Sequence, residues 1–368
     1  MILNKLSVLN YKNILQAEIH CSSKMNCFFG NNGMGKTNLL DAVYYLSFCK
    51  SHIHTPEGQL IHQKEELCVL QGVYDYDGNG EEIFCALRRG QRKQFKRNLK
   101  AYDKLSEHIG LLPLVIVSPA DSELIRGGSE ERRRLLDILI SQQDKSYLHA
   151  LIQYNKTLMQ RNVLLRNQCQ DRALYEVLEM QLAMHGQVIF EKRSRMVDTF
   201  IPLFNEYYRT ICQSTETVGL QYLSQLREVR LEEKLAANRE RECIVGYTLT
   251  GIHKDDMEMT LDERLIRHSG SQGQNKSFLI ALKLAQFTLL ATQGGTKPIL
   301  LLDDIFDKLD AERVEQIIQL VSGSRFGQIF VTDTNRKYLD RILAGISQDY
   351  TLFKVDKGEV LPMEGDGK

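Results

Sequence analysis

Apolar and polar residues alternate over positions 3–9 and 17–21, the period-two signature of strands with one buried face, and the apolar run 27–29 reads as a short third strand. A glycine-rich polar stretch follows, and from 37 to 48 the apolar positions recur at helical spacing. Between 67 and 89 two β-rich segments flank DYDGNG, a hairpin-turn sequence. LLPLVIVSP then predicts a buried strand stopped by Pro119. From about 129 to 241 the pattern is long, polar and helical, with apolar positions such as Leu148, Ile152, Leu158 and Leu165 on a face that can pack. Pro202 reads there as a firm breaker, and the segment predicts a compact lobe or stubby hairpin, not a long rod. Strand character returns after Tyr247 in YTLTG, MEMTLD and RLIRHS. It is followed by a helix over 274–291, the strand PILLLDD, a helix over 311–321 and the strand QIFVTD. Two α/β parts, 1–128 and 245–368, thus bracket a helical insert over 129–244.

Composition changes this picture little. The 368 residues are 43% hydrophobic and 26% charged, ordinary for a globular chain, and can bury a sizeable core. Lys plus Arg and Asp plus Glu are equal at 47 each, so a polyanionic partner would have to use a local basic stripe. Eight scattered cysteines form no CxxC pair, which argues against a zinc site and for reduced thiols in the cytoplasm. The first residues lack the apolar run of a signal peptide, and no stretch approaches the roughly 18 apolar residues of a membrane helix. The expectation is a cytoplasmic protein with no membrane partner.

The chemistry begins at Gly30-Asn31-Asn32-Gly33-Met34-Gly35-Lys36-Thr37-Asn38, a Walker A pattern between a predicted strand and a predicted helix. Its glycines let backbone N–H groups face phosphates, and the helix N-terminus adds partial positive charge. Lys36 would bridge the β- and γ-phosphates of ATP, and the Thr37 hydroxyl would hold Mg²⁺. PILLLDD ends a buried strand in two carboxylates: Asp303 would orient the Mg²⁺ shell, and Asp304 could accept a proton from an attacking water. Ser271 precedes another helix in SGSQGQNKS, where its hydroxyl and the exposed N–H groups make a second phosphate-binding end. One complete P-loop site does not need a second cradle for the same nucleotide. Two copies facing each other would.

Together these features resemble the split ATP-binding-cassette heads of chromosome-maintenance and repair proteins, and finer matches resemble the RecF family of bacterial recombination mediators. LNYKNI is similar to that family's LxNFRNY segment, and GNNGMGKTN to GxNGxGKTN. SPADSELIRGGSEERRRLLD, TGIHKDD, GSQGQNKS and LLLDDIFDKLD follow in the family's order, so the resemblance spans essentially the whole chain. It implies a P-loop head of mixed sheet plus antiparallel β lobe with an inserted helical lobe. It also implies nucleotide contacts from Lys12, Asn13, Gly273, Gln274, Asp310 and Thr332. The implied activity is slow, switch-like ATP hydrolysis in an ATP-dependent homodimer. That dimer would grip duplex DNA next to single-stranded gaps and, with RecO and RecR, promote RecA loading. Lys12, Ile252 and Lys254 depart from the family's Arg, Pro and Arg. Lys254 cannot reproduce a bidentate arginine contact. The SPADSELI segment lies where a glutamine-bearing loop contacts the metal, yet offers no obvious Gln.

DNA contact is expected from RRGQRKQFKRNLKAYDK, which holds eight Lys or Arg residues against one Asp. Its candidates are Arg88, Arg89, Arg92, Lys93, Lys96, Arg97 and Lys100; the competing reading is a solvated β-edge guarded by lysines. Basic residues of the insert (Lys156, Arg161, Arg166, Lys192, Arg193, Arg195) read as helix-face charges. Arg132, Arg133 and Arg134 open a helix, where cations are unfavourable, and so point to an ionic partner such as Asp255 and Asp256, or DNA. His52, His54 and His62 read as exposed loop histidines. Two other functions fit less well. An SMC-type chromosome-organising head has a far longer insert, and a transport-type cassette keeps its two nucleotide motifs much closer together.

Overall fold

The computed structural model describes residues 1–53, 55–306, 309–334 and 349–363, so His54 lies outside the described residues. The chain divides into two compact units. One is Met1–Asp121 with Thr210–Cys212 and Gln272–Lys368; the other is Ser122–Arg209 with Gln213–Ser271. The borders expected at 128/129 and 244/245 both fall inside the second unit.

In the first unit, β1 (Ile2–Tyr11) and β2 (Ile14–His20) form a hairpin whose two-residue turn is Lys12–Asn13. The strand β3 (Met25–Phe29) leads through the glycine-rich loop into α1 (Lys36–Phe48), and α2 (Glu57–Leu60) is a single turn. As expected, β4 (Leu67–Tyr76) and β5 (Asn79–Arg88) meet across the DYDGNG turn. With β6 (Gln94–Arg97) and β7 (Lys100–Ala101) they complete an antiparallel sheet in the order β2-β1-β4-β5-β6-β7. The basic run therefore occupies a sheet edge. The strand β8 (Leu114–Val117) is wholly buried and belongs to a second sheet.

The second unit opens with α3 (Ser122–Arg126), α4 (Ser129–Ser141) and α5 (Lys145–Arg166), the last capped by Asp144, whose Oδ1 accepts from the Ser146 and Tyr147 amides. The long helix α6 (Arg172–Cys212) carries Pro202 inside it, where a break was expected. Its 41 residues span about 60 Å, so the expected break at Pro202 is corrected. A proline removes one ladder bond, and the flanking residues hold the helix. The supposedly all-helical insert also contains β9 (Val218–Leu223), with Val218, Leu220 and Tyr222 buried on alternate positions. After α7 (Leu231–Val245), the strand expected at YTLTG is absent. Its amides bond side chains instead: Thr248 N–H donates to Asn162 Oδ1 and Leu249 N–H to Glu242 Oε1. The next strand, β10 (Asp256–Leu261), pairs with β9 and with β11 (Arg264–Leu265). The remainder of RLIRHS is a helical turn, α8 (Ile266–Ser269), not strand.

Buried ion networks hold this unit. Arg161 is fully buried against Glu179 and Glu242 at 2.9 and 2.6 Å, and Arg193 is held by Asp137 at 2.8 Å. The reading of these two arginines as surface charges is therefore wrong, and Lys192 is also engaged, with Asp144. The ionic partner inferred for the arginine triplet is realised for Arg132, paired to Asp256 at 2.6 Å, while Arg133 donates to the Asp255 carbonyl. Arg134 instead pairs with Glu131 on its own helix.

The chain completes the first unit with α9 (Gln272–Gly294), β12 (Ile299–Asp303), α10 (Ala311–Ser322), β13 (Ile329–Asp333), β14 (Tyr350–Asp356) and β15 (Glu359–Met363). The second sheet has the order β15-β14-β3-β13-β12-β8, parallel throughout except for β15. Parallel strands buried on both faces need continuous apolar runs, and Ile299–Leu302 and Ile329–Val331 supply them. The carboxyl ends of β3, β13, β12 and β8 lie side by side, and ligands bind beyond such an edge.

Candidate nucleotide site

The loop after β3 is shaped by two glycines. A Cβ on Gly30 would stand 2.2 Å from the Val355 carbonyl oxygen, so only glycine lets β14 pass. Gly35 has φ 114° and a Cβ there would meet the Asn13 side chain at 2.9 Å. Asn13 is thereby set against the loop: its Nδ2 donates to the Gly33 carbonyl at 3.2 Å and its Oδ1 accepts from Asn38 at 2.7 Å. Met34 is tied to the β14–β15 turn, its carbonyl accepting from Gly358 N–H. The Lys36 ammonium donates to the Gly30 and Asn31 carbonyls at 2.6 and 2.9 Å, which holds it within the loop. Burial lowers its pKa, opposed by Asp304, Asp303 and Asp333.

At the neighbouring strand ends, the Thr37 hydroxyl lies 3.0 Å from both Asp303 carboxylate oxygens. Thr332, fully buried one strand away, donates to Asp303 Oδ1 at 2.7 Å. Burial raises the Asp303 pKa, an effect the Thr332 and Thr37 donors reduce. The donor set is a hydroxyl and a carboxylate, all oxygen, which suits Mg²⁺. Asp304 sits at φ 49°, unusual for a non-glycine residue, and its amide donates to the Thr332 hydroxyl at 3.1 Å and the Thr332 carbonyl at 3.2 Å. This pins a strained acid at the edge of the site, where such strain is commonly functional. Lys276 on α9 donates to the Asp304 carbonyl at 3.3 Å, a contact that no motif predicted.

Beyond β8, Ser118 Oγ lies 3.1 Å from His52 Nε2, and the Ser118 amide donates to Asp121. His52 is thus half-buried and bonded, contrary to the exposed-loop reading. Lys12 is turned onto Asp41 of α1 at 2.6 Å, where Tyr11, Ser51 and the His52 amide also converge. Ser271 is exposed and directly precedes α9. Gly273 and Gln274 form the first turn, and Gly273 is closely approached by Arg313 Nη1, which a Cβ would meet at 2.7 Å. Arg313 also bonds Asp310, whose side chain caps α10. It therefore joins the Leu309–Asp310 turn to the start of α9, a role the motifs did not reveal.

A family model described as the RecF/RecN/SMC N terminal domain matches residues 2–359. The DNA replication and repair protein RecF of Parabacteroides distasonis is 71% identical over 364 residues, covering 99% of this chain and 100% of its own. This chain belongs to the RecF family. The RecF of Bacteroides fragilis strain ATCC 25285 is 56% identical, with 99% of each chain covered. Among solved structures, the recombination mediator RecF with ATP, from the RecFOR pathway, superposes with a TM-score of 0.89 at 28% identity, covering 99% and 98%. An Smc head domain derived from Pyrococcus furiosus, at 17% identity and TM-score 0.58 with 99% and 96% covered, shares the fold alone. The expected head of mixed sheet, antiparallel β lobe and helical insertion is the fold this RecF-family chain has. Among the described residues, no helix is long and apolar enough to cross a membrane.

The basic edge of this RecF-family member is less available than its sequence suggests. Arg89 is spent on carbonyls of Gly58, Ile61, His62 and Glu65, and Lys93 on Glu57 and the Cys49 carbonyl. Arg97 is paired with Glu81, and Lys96 lies 5.7 Å over the Phe84 ring. Arg88, Arg92 and Lys100 are exposed. The seven candidates thus separate into cations built into the fold and cations facing solvent.

Proposed function

We propose that this protein is an ATP-dependent DNA-binding recombination mediator. ATP and Mg²⁺ join two copies, and the dimer grips duplex DNA beside a single-stranded gap in the cytoplasm. The observation that carries this is the full-length RecF-family match in a chain where Thr37, Asp303 and Thr332 converge beside the P-loop. Backbone N–H groups of residues 31–38 and Lys36 receive the phosphates, and Lys12 and Asn13 border them. Thr37 and Asp303 would hold Mg²⁺, which would supply charge neutralisation for the phosphates. Asp304 accepts the proton of the attacking water. Ser271, Gly273, Gln274 and Asp310 of one copy close over the nucleotide held by the other. Hydrolysis is weak, linked to DNA, and acts as a timer that separates the copies and releases DNA. RecO and RecR act with it to load RecA.

Sedimentation velocity with ATP or ADP, on wild type, Ser271→Arg and Lys36→Arg, tests the clamp. Wild type should dimerise with ATP alone, and Ser271→Arg should remain monomeric while still binding ATP. A wild type with no nucleotide-linked dimer, or a Ser271→Arg chain that dimerises normally, would sink this reading.

A further inference from the structure

The turn joining β6 to β7 is Asn98–Leu99, bracketed by the pairs Arg97↔Lys100 and Lys96↔Ala101. Both residues have positive φ, 48° and 68°. Two-residue hairpins of this form favour Asn-Gly, because glycine takes the second position without a steric penalty. Here that position holds leucine, and its side chain is 81% exposed. Leu99 therefore contributes strain to the turn and no burial to the core. The turn itself is firmly anchored. Asn98 N–H donates to the Glu82 carbonyl at 2.9 Å, Glu82 N–H to Asn98 Oδ1 at 2.8 Å, and Asn98 Nδ2 to Glu81 at 2.8 Å. A strained residue held by an over-determined frame is the kind of outlier that accompanies function.

The surroundings indicate the partner's chemistry. Lys100 and Lys104 are exposed, as is Asp103. Glu81 is paired by Arg97, and Glu82 accepts from Gln71. The residues beside Leu99 are Asn98 and Lys100, so a single apolar point stands among polar and cationic groups. A protein-docking site would gather several apolar anchors. A lone aliphatic side chain between an asparagine and an exposed lysine matches the wedges that nucleic-acid-binding proteins press against base steps.

We propose that Leu99 stacks on the open face of the terminal base pair at a single-strand/duplex junction, with Lys100 and Lys104 reaching the flanking phosphates. This rests on the DNA-binding reading above and adds to it what reads the junction. Unstacking is easiest where the helix already ends, so the wedge favours junctions over continuous duplex.

Leu99→Gly removes the side chain and suits φ 68°, so folding should be preserved or improved. Gapped and continuous duplexes, each with 2-aminopurine at the junction step or its equivalent, are titrated with the full chain and ATP. Wild type should raise the junction fluorescence and bind the gapped DNA about tenfold more tightly, the scale of burying one leucine side chain. Leu99→Gly should lose the rise and the preference while keeping the salt dependence of binding, and Leu99→Met should restore both. Wild-type binding to gapped DNA without the fluorescence rise, or an unchanged preference in Leu99→Gly, overturns the wedge and leaves the DNA-binding reading standing. A Leu99→Gly chain that loses dimerisation but keeps junction preference likewise overturns it. Wild type that binds neither DNA sinks the reading beneath it as well.

Discussion

His253, in the TGIHKDD segment, gives a pH-dependent contribution to stability that can be isolated. Its Nε2 lies 3.1 Å from the Thr248 carbonyl, which can only accept, so Nε2 carries the proton. Nδ1 then accepts from the Tyr154 hydroxyl at 2.8 Å. The ring is held neutral. Gly251 makes the arrangement possible, because a Cβ there would stand 2.3 Å from the Tyr154 hydroxyl. Burial, with Lys254, Arg133 and Arg161 nearby, lowers the imidazole pKa to about 4 despite the Thr248 bond. An unfolded histidine titrates near 6.5. The unfolded chain therefore takes up the proton first, and stability falls as pH drops from about 6.5 toward 4. Between pH 7 and pH 5 the loss integrates to about 2 kcal/mol.

The assay compares denaturant unfolding of wild type and His253→Gln at both pH values. Glutamine can donate to Thr248 and accept from Tyr154, yet it does not titrate. At pH 7 wild type should be the more stable, and at pH 5 its advantage should shrink by about 2 kcal/mol. Comparing the two proteins cancels other titrations, including that of Asp255, whose raised pKa acts in the opposite direction with pH. An advantage equal at both pH values would refute the argument that the fold holds His253 neutral.

Three further expectations concern the site and the basic edge. Thr332→Val removes a buried donor to Asp303 and should lower ATP turnover roughly ten- to a hundredfold, the equivalent of one charge-assisted hydrogen bond; single-turnover kinetics with a separate ATP-binding titration would check this, since binding should change little. Replacing Arg88, Arg92 and Lys100 together by Gln should flatten the dependence of log K on log salt by about 2–3. Arg89→Gln should instead lower the melting temperature, because it strands carbonyls of Gly58, Ile61, His62 and Glu65.

Legibility in the sequence followed how local each signal was. Thr37 and Asp303 were readable because a glycine-rich loop between strand and helix, and an apolar run ending in acids, each report their own conformation. That their oxygens meet at 3.0 Å depends on the parallel order β3-β13-β12, which no local pattern states. Arg161 and Arg193 were misread because helical spacing says which residues share a face and not what covers it. Both arginines sit on the buried face beside carboxylates contributed by other helices. Val218–Leu223 had a visible alternation, but six residues inside a helical stretch carried too little weight. Pro202 failed as a stop signal because one lost backbone bond is small beside the packing of a 41-residue helix. Arg89 and Lys93 looked like DNA contacts because charge is visible in sequence while the carbonyls that consume it are not.

The same non-locality explains how a head can tolerate an insertion of this size. Apart from Thr210–Cys212, the first unit's chain leaves after Asp121 and returns at Gln272, and the carboxyl edge that carries Asp303 must survive that interruption. Two features of the unit itself do this. The strand β8, just before the exit, pairs in parallel register with β12, so Val117 lies opposite Leu302 and the exit sits beside Asp303. Asp121 then pairs with Lys283 of the returning helix α9 at 2.7 Å, with both side chains nearly excluded from solvent. A buried pair gains little over apolar packing, but losing one partner leaves an uncompensated charge, a penalty of about 3–5 kcal/mol. Such a contact tolerates few alternatives in register. It therefore specifies where the returning helix must sit more than it adds to net stability. The first turn of that helix, with Gly273, Gln274 and Lys276, is placed relative to Asp304 by the same constraint.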